Sequence, residues 1–276
     1  MAPQVADPRN LRDQSVVAHG FWLTFPSAAV AKTILHRPTT EKSRFSWVLI
    51  DAEHGLITDR DYYELSNAVA SEGAIPIIRV PWGEEWMIKR ALDAGAHGIL
   101  TPMCHTEADA AKIVSYVKYP PLGTRGYGPM FASHSFPSVL SDNDYEEVSQ
   151  NGIIVMVQIE SKSGVENVEK IAKVEGLDGL LIGPFDLAKH LNVPRGGEEH
   201  EAAIKRILAA TKAAGKRAAI FCTGGADARA RIEQGFDMVS VITDVGLLGD
   251  AMQHELDVAS GQKEADGSKA AGNGGY

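Results

Sequence analysis

Charged side chains stand at the ends of several apolar runs in this sequence. Asp51 and His54 follow the run Trp-Val-Leu-Ile, and Arg79 interrupts Ile-Pro-Ile-Ile-Arg-Val-Pro. Glu160 closes a later apolar run, and Asp186 follows the next one. Burying an unpaired charge costs too much free energy for such residues to be kept without a partner or a task. These positions are therefore the first candidates for a functional site.

Glu160 and Asp186 end two consecutive apolar runs and are candidate metal ligands. If the runs are neighbouring parallel strands, the two carboxylates meet at one edge of the sheet. Carboxylate oxygens, completed by water or a chelating ligand, suit Mg²⁺ or Mn²⁺. The alternative is that each carboxylate caps the following helix or pairs with a lysine. The lack of neighbouring His or Cys ligands argues against structural zinc.

Arg79 is the candidate functional cation, since a guanidinium at a strand end can bind an oxyanion or a carboxylate. The alternative is an ion pair with Asp51 or Glu53 on the neighbouring strand, and both arrangements can hold together. His54 follows two acidic residues and is a candidate general base, although a single histidine is more often an ordinary side chain.

Asp93 lies near the end of a predicted helix, where the helix dipole disfavours an anion. This placement predicts a partner such as His54 or Lys89, with simple exposure as the alternative. Cys104 and Cys222 end strands but have no adjacent base, so we interpret both as small buried residues.

Eight short runs are almost continuously apolar, as expected for strands buried on both faces of a parallel sheet. Amphipathic stretches with helical periodicity lie between them. This alternation predicts an α/β fold, a single-domain (β/α)₈ TIM barrel. The runner-up, an open doubly wound sheet, lacks the expected GxGxxG and GxxxxGK[ST] motifs. The runs are His19–Phe25, Trp47–Glu53, Ile75–Pro81, Gly98–Met103, Ile153–Glu160, Gly179–Gly183, Ala218–Thr223 and Met238–Thr243.

Local signals predict where the helices begin and end. Ser27, Thr58, Thr106 and Ser161 stand where N-caps are expected, and Gly95 and Gly215 stand where helices end. Stretches such as 165–174 and 202–214 are each predicted as one helix. The segment 119–151 interrupts the alternation, and an insertion of this kind is typical of an active-site wall or an interface.

The chain length of 276 residues suits one barrel domain. We expect residues 1–15 to form an arm, residues 16–260 to form the barrel with a C-terminal helix, and residues 261–276 to be a disordered tail. The formal charge of −9 excludes a broad face for nucleic acid. No apolar run approaches the roughly 18 residues that span a bilayer. The start of the chain shows no secretory signal, and two cysteines give no disulfide framework, so we expect a cytoplasmic protein.

Taken together, the strand ends resemble those of the HpcH/HpaI aldolase family of metal-dependent (class II) pyruvate aldolases, which includes macrophomate synthase. The resemblance runs from about Gly20 to about Val258. It rests on the segments GFWL from Gly20, WVLIDAEH from Trp47, RVPW from Arg79, KRALDAGA from Lys89, YPPLGTRG from Tyr119, QIE from Gln158, VEGLDG from Val174 and IGPFDL from Ile182.

The resemblance implies a carbon–carbon lyase that cleaves or forms 4-hydroxy-2-oxoacids through a pyruvate enolate, with an aldehyde as the second partner. Glu160 and Asp186 would hold a divalent metal such as Mg²⁺, Mn²⁺ or Co²⁺, and Arg79 would stabilise the enolate oxygen. His54, oriented by Asp93 or Asp51, would move the proton of the aldol hydroxyl. The pocket would be completed by Trp22 and Gln158 and by a carboxylate-binding turn of Gly183, Pro184, Phe185 and Asp186.

The alternatives are an oxaloacetate decarboxylase or a macrophomate synthase-like enzyme that uses the same enolate. A citrate-lyase-β-like enzyme would need cations for coenzyme A, and Arg125 and Lys118 are the candidates. A non-catalytic barrel that acts only through assembly is disfavoured, because the charged residues expected at the strand ends of an enzyme are all present. Ala52 and Phe185 stand where the family often has Gly and a small residue, which leaves acceptor choice open. The resemblance also implies a homo-oligomer, a hexamer or trimer that exchanges C-terminal helices.

Overall fold

The computed structural model describes residues 6–37, 40, 43–137, 139 and 142–263. Eight parallel strands pair in chain order and close into a barrel, which confirms the predicted (β/α)₈ fold and all eight strands. The strands are β1 (Ala18–Leu23), β2 (Trp47–Asp51), β3 (Ile75–Arg79), β4 (Gly98–Thr101), β5 (Ile154–Ile159), β6 (Gly179–Ile182), β7 (Arg217–Phe221) and β8 (Met238–Thr243).

Eleven α-helices lie in the described segments and follow or separate these strands. They are α1 (Ala28–Leu35), α2 (Tyr62–Ser71), α3 (Glu85–Asp93), α4 (Glu107–Val117), α5 (Asp142–Asn151), α6 (Lys162–Glu166), α7 (Val168–Ile171), α8 (Pro184–Leu191), α9 (Glu198–Ala213), α10 (Gly225–Gln234) and α11 (Asp244–Ala259). Short 3₁₀ helices cover Pro8–Arg12 and Ala132–Ser135. None of the helices in the described ranges has the length and apolar character needed to cross a bilayer.

The helix-boundary predictions are mostly confirmed. Ser27, Thr106 and Ser161 cap α1, α4 and α6 through their hydroxyl oxygens. Thr58 is wrong as an N-cap, because its hydroxyl donates to the Asp61 carboxylate and α2 begins only after Asp61. The single helix predicted over residues 165–174 is two short helices that meet at Asn167.

The predicted arm contributes to the amino-terminal end of the barrel. Leu11 is 2% exposed and belongs to the apolar cluster inside the strands, together with Trp47 and Ile75. Arg12 donates to the Asp178 carboxylate and to the carbonyl oxygens of residues 151 and 153. These contacts attach residues 8–12 to the base of the barrel. The predicted tail lies outside the described residues from position 264 onward.

Strand register brings the candidate site residues to one level at the carboxyl ends of the strands. Asp51 and Arg79 are direct partners in the β2–β3 pairing. Ile159 pairs with Ile182 across β5 and β6, so Glu160 and Gly183 follow at the same level. Because the strands are parallel and closed, the side chains that follow them converge on one mouth of the barrel.

Candidate active site

A cavity of about 620 Å³ opens at the carboxyl ends of the strands. Its lining contains most of the residues that the sequence singled out, but neither Glu160 nor Asp93. The predicted residues that line it are Trp22, Asp51, His54, Arg79, Gln158, Gly183, Pro184, Phe185 and Asp186.

Arg79 is bound side-on by Asp51, through Nε to Oδ1 at 2.8 Å and Nη2 to Oδ2 at 2.7 Å. Trp22 donates its indole N–H to the same Asp51 carboxylate at 3.0 Å, and its ring lies 5.0 Å from the Arg79 guanidinium carbon. Burial raises the pKa of Asp51, but the hydrogen bonds and charge of Arg79 outweigh it and leave that pKa below its ordinary value. The predicted ion pair therefore exists as a buried, bidentate one.

Glu53 is a residue of this site that the sequence named only as an alternative ion-pair partner. Its Oε2 lies 2.8 Å from Nη1 of Arg79, and its Oε1 lies 3.7 Å from Nε2 of His54. Burial raises its pKa, opposed by the charges of Arg79 and His54. The contact with Nη1 is an ion contact without hydrogen-bond alignment. Arg79 thus keeps N–H groups for an incoming oxygen while two carboxylates fix its plane.

His54 stands at the rim of the cavity with 66% of its side chain exposed. Within the described residues of one chain, neither of the predicted orienting carboxylates, Asp51 or Asp93, contacts its ring. Asp51 accepts from the backbone N–H of residues 53 and 54, at 3.1 and 3.3 Å, rather than from the imidazole. The carboxylate that faces the ring is that of Glu53, because the turn after β2 folds the three residues onto one another.

Glu160 is 2% exposed and lies against two residues that line the cavity, Gln158 and Gly183. Its Oε1 accepts from the Met103 N–H at 3.0 Å, and its Oε2 accepts from the Gln158 side-chain amide. Met103 adopts a left-handed φ of 54°, a strained conformation that aims this N–H at the carboxylate. Gly183 leaves room for both side chains, because a Cβ there would overlap Glu160 and Gln158.

The donor set at this point fits a hard divalent cation. Burial first, and then the nearby charges of Glu53 and Asp186, raise the pKa of Glu160 to about 7. The surrounding residues therefore supply too little positive charge to balance the ionised carboxylate. The side-chain amide oxygen of Gln158, Oε1, is buried without a hydrogen-bond partner in the described part of the chain. No group of three or more His, Cys, Asp or Glu side chains converges within that part. A cation held by Glu160 and Asp186 would therefore take further ligands from water or substrate.

Asp93 has a different partner from the predicted His54 or Lys89. Its carboxylate accepts from Nη2 of Arg125 at 2.8 Å, outside the cavity. Arg125 is fully buried and also donates to Ser149 and Tyr145 of the 119–151 insertion. The insertion therefore packs on α3, and within the described residues of a single chain it is not the predicted wall of the active site.

The cations expected for a coenzyme A thioester are committed elsewhere. Arg125 is 0% exposed and ion-paired, and Lys118 is 9% exposed with its amine bound to the Gln150 carbonyl oxygen. Neither side chain faces a surface that could receive phosphates. The alternative of a citrate-lyase-β-like enzyme therefore lacks, at these two positions, the free cations that it would need to bind coenzyme A.

Several cavity residues were not singled out as site residues by the sequence. Thr24, Phe221 and Ile242 line it from β1, β7 and β8, and their position after or at a strand end is the signal that identifies them. Asp244 at the start of α11 accepts from the backbone N–H groups of Thr24 and Phe25 and so ties two mouth loops together. The prediction of buried cysteines is confirmed: burial raises the pKa of Cys104 and Cys222 to about 12.

Comparison with known proteins gives a consistent result. The family model for HpcH/HpaI aldolase/citrate lyase matches residues 21–251. The hydroxypyruvate/pyruvate aldolase of Agrobacterium fabrum is 37% identical over 82% of this chain and 83% of its own length. The 5-keto-4-deoxy-D-glucarate aldolase of Citrobacter koseri is 37% identical over 77% and 82%. The solved structure of macrophomate synthase superposes with a TM-score of 0.81 at 27% identity, covering 95% of this chain and 92% of that one.

Proposed function

The chain belongs to the HpcH/HpaI aldolase/citrate lyase family, and from that premise we propose that it is a class II pyruvate aldolase. It cleaves or forms 4-hydroxy-2-oxoacids through a pyruvate enolate, with an aldehyde as the other product or reactant. The observation that carries this proposal is the juxtaposition, around one cavity, of a clamped Arg79 and the acidic pair Glu160 and Asp186.

In the cleavage direction, the C4 hydroxyl of the substrate loses its proton and the C3–C4 bond breaks. The bonding electrons move into the C2 carbonyl and give an enolate, while C4 leaves as an aldehyde. Protonation of the enolate at C3 gives pyruvate. A divalent cation on Glu160 and Asp186 supplies Lewis-acid polarisation of the 2-oxoacid when bound.

Arg79 stabilises the negative charge that develops on the C2 oxygen, through N–H groups that Asp51 and Glu53 do not use. Because both carboxylates already fix the guanidinium, little reorganisation is needed when the charge appears. His54 at the rim receives the C4 hydroxyl proton, with Glu53 as the nearby anion that favours the resulting imidazolium. The amide N–H groups of the turn Gly183–Asp186, at the start of α8, bind the substrate carboxylate.

The catalytic role that the resemblance gave to Asp93 requires a second copy of the chain, because within one chain Arg125 binds this carboxylate outside the cavity. We propose a homo-oligomer of trimeric or hexameric type. The large apolar residues of α11 support it, since Leu247, Leu248, Met252 and Leu256 are all more than half exposed. Elution as a monomer at micromolar concentration would contradict it.

The two free cysteines support a reducing, cytoplasmic setting.

The decisive experiment measures pyruvate release from 4-hydroxy-2-oxoacids and from oxaloacetate. The protein is treated with EDTA, dialysed, and assayed alone and with Mg²⁺, Mn²⁺ or Co²⁺ restored. We expect activity on hydroxy-oxoacids to disappear with EDTA and to return with metal. Activity on oxaloacetate alone would instead identify a decarboxylase or macrophomate synthase-like enzyme, since loss of CO₂ produces the same enolate. Inactivity on both would contradict the proposal.

A further inference from the structure

His200 is a buried histidine that the reaction above does not use. It lies in the first turn of α9 and is 1% exposed. The Gly196 amide nitrogen is 3.2 Å from Nδ1, and the Pro184 carbonyl oxygen is 2.8 Å from Nε2. An amide nitrogen donates and a carbonyl oxygen accepts, so Nδ1 accepts while Nε2 carries the proton and donates. These partners join the ring to two segments of backbone, and the Glu201 carboxylate lies 3.7 Å from Nδ1.

The carbonyl group that His200 holds belongs to the turn that forms part of the cavity. Gly183, Pro184, Phe185 and Asp186 all line it. Gly183 also lies against the Glu160 carboxylate so closely that a Cβ would not fit. A shift of the Pro184 carbonyl would therefore move the expected carboxylate-binding amides and the Asp186 side chain together.

The loop between α8 and α9 reaches the same turn at a second point. The Arg195 guanidinium carbon lies 4.3 Å from the centre of the Phe185 ring. Asn192 ends α8 with a left-handed φ of 56°, and Gly196 has a φ of +79°. These two conformations fold the loop back over the start of α8. Residues 195 and 200 thus contact two consecutive residues of the turn.

We propose that His200 is a positioning residue for the 2-oxoacid and metal site. It fixes the depth and orientation of the Gly183–Asp186 turn through the Pro184 carbonyl group and touches neither substrate nor cation. This inference rests on the proposed function for the identity of the substrate. It explains why a polar ring with two satisfied backbone partners occupies a buried position where an apolar side chain would only fill space.

The test compares His200→Leu with His200→Gln and with a matched control, His97→Leu. Leucine fills much of the volume and removes both hydrogen bonds, whereas a glutamine amide again offers one donor and one acceptor. His97 is equally buried and also contacts a backbone carbonyl oxygen, that of Ser135 at 2.9 Å, but it lies outside the cavity. Loss of stability alone would affect both Leu variants.

We expect His200→Leu to raise the KM for the 2-oxoacid by about 10-fold and to weaken Mn²⁺ binding by a similar factor, as is typical when a group supporting a ligand shell is removed. His200→Gln should restore both values to within a few-fold of wild type. His97→Leu should leave KM and Mn²⁺ affinity unchanged. An unchanged KM in His200→Leu, or an equal change in His97→Leu, would overturn the proposal.

Two readouts do not depend on turnover. Mn²⁺ binding is measured by electron paramagnetic resonance without substrate, and hydrogen exchange is measured on peptides that cover residues 183–191. Faster exchange there in His200→Leu, but not in His97→Leu, supports the positioning role. If wild type proves inactive on all 2-oxoacids, the proposed function fails while these readouts still decide whether His200 holds the turn.

Discussion

Arg79 and Asp51 end neighbouring strands at the same level of the barrel, and two parallel hydrogen bonds of 2.8 and 2.7 Å join them. The pair is almost fully buried, with side-chain exposures of 6% and 2%. Such a pair contributes less to net stability than to orientation, because desolvation offsets most of the attraction. Its consequence is a guanidinium whose plane is set before substrate arrives.

Replacing Arg79 tests whether this guanidinium stabilises the enolate. Arg79→Ala should lower kcat by about 10²–10³, as for loss of one oxyanion donor. The variant also leaves Asp51 unpaired, so its melting curve is recorded and the assay is run well below the transition. Arg206→Ala, which breaks an exposed ion pair with Glu169, is the matched control and should retain full activity. Wild-type turnover in Arg79→Ala would remove the assigned role.

Replacing His54 separates the two reactions that share the enolate. His54→Asn should lower aldol cleavage by about 10²–10⁴, because a general base is lost. Decarboxylation of oxaloacetate requires no deprotonation of a hydroxyl group and should change far less. Both rates are measured on one preparation by pyruvate release. Equal losses in the two reactions would mean that His54 acts on binding rather than on the proton.

Adding one methyl group to Gly183 tests the fit around Glu160. A Cβ at this position overlaps the Glu160 and Gln158 side chains, so Gly183→Ala should weaken Mn²⁺ binding by about 10–100-fold. Gly224 also stands between a strand and a helix, but it has open space around it and an extended φ of 166°. Gly224→Ala is therefore the control and should bind Mn²⁺ like wild type.

The buried imidazole of His97 should make the free energy of unfolding depend on pH. Burial lowers its pKa to about 4, its ring stacks on Phe136, and its unfolded pKa is near 6.5. The unfolded chain therefore takes up this proton first. The contribution of His97 to the free energy of unfolding, about 3 kcal/mol, is complete above about pH 6.5 and is lost as the pH falls toward 4. Denaturant unfolding of wild type and His97→Leu across this range should show a steeper decline for wild type. Parallel pH profiles would contradict the assignment.

Replacing Phe185 tests whether this ring, at the rim of the cavity, selects the aldehyde acceptor. Its ring is 46% exposed, edge-on to Phe221 at 5.9 Å, and covered on a face by Arg195. Phe185→Ala should raise kcat/KM for a long aldehyde relative to a short one by about 10-fold, since added space in a pocket is worth roughly 1–3 kcal/mol. Phe131→Ala, an exposed ring outside the cavity, is the control. An unchanged ratio would place the acceptor elsewhere.

The sequence predicted the barrel because its strands are buried on both faces and are therefore continuously apolar, as in Trp47–Asp51 and Ile154–Ile159. Most of the site residues that it predicted line the cavity, since chemistry collects where such strands end. It did not predict the partner of Asp93, because Arg125 is 32 residues away and is brought there by an irregular insertion. The sequence named Glu53 as a possible ion-pair partner of Arg79 but did not predict its contact with His54, since the turn after β2 has no periodic pattern.

The attachment of residues 8–12 to the base of the barrel bears on the order of product release. Leu11 fills the amino-terminal end of the strand interior, so the cavity communicates with solvent through the opposite end. Arg79 and Gln158 lie deep in it, whereas His54 and Phe185 lie at the rim. The aldehyde therefore departs before pyruvate. Pyruvate should then be a competitive inhibitor against the hydroxy-oxoacid, and the aldehyde a noncompetitive one.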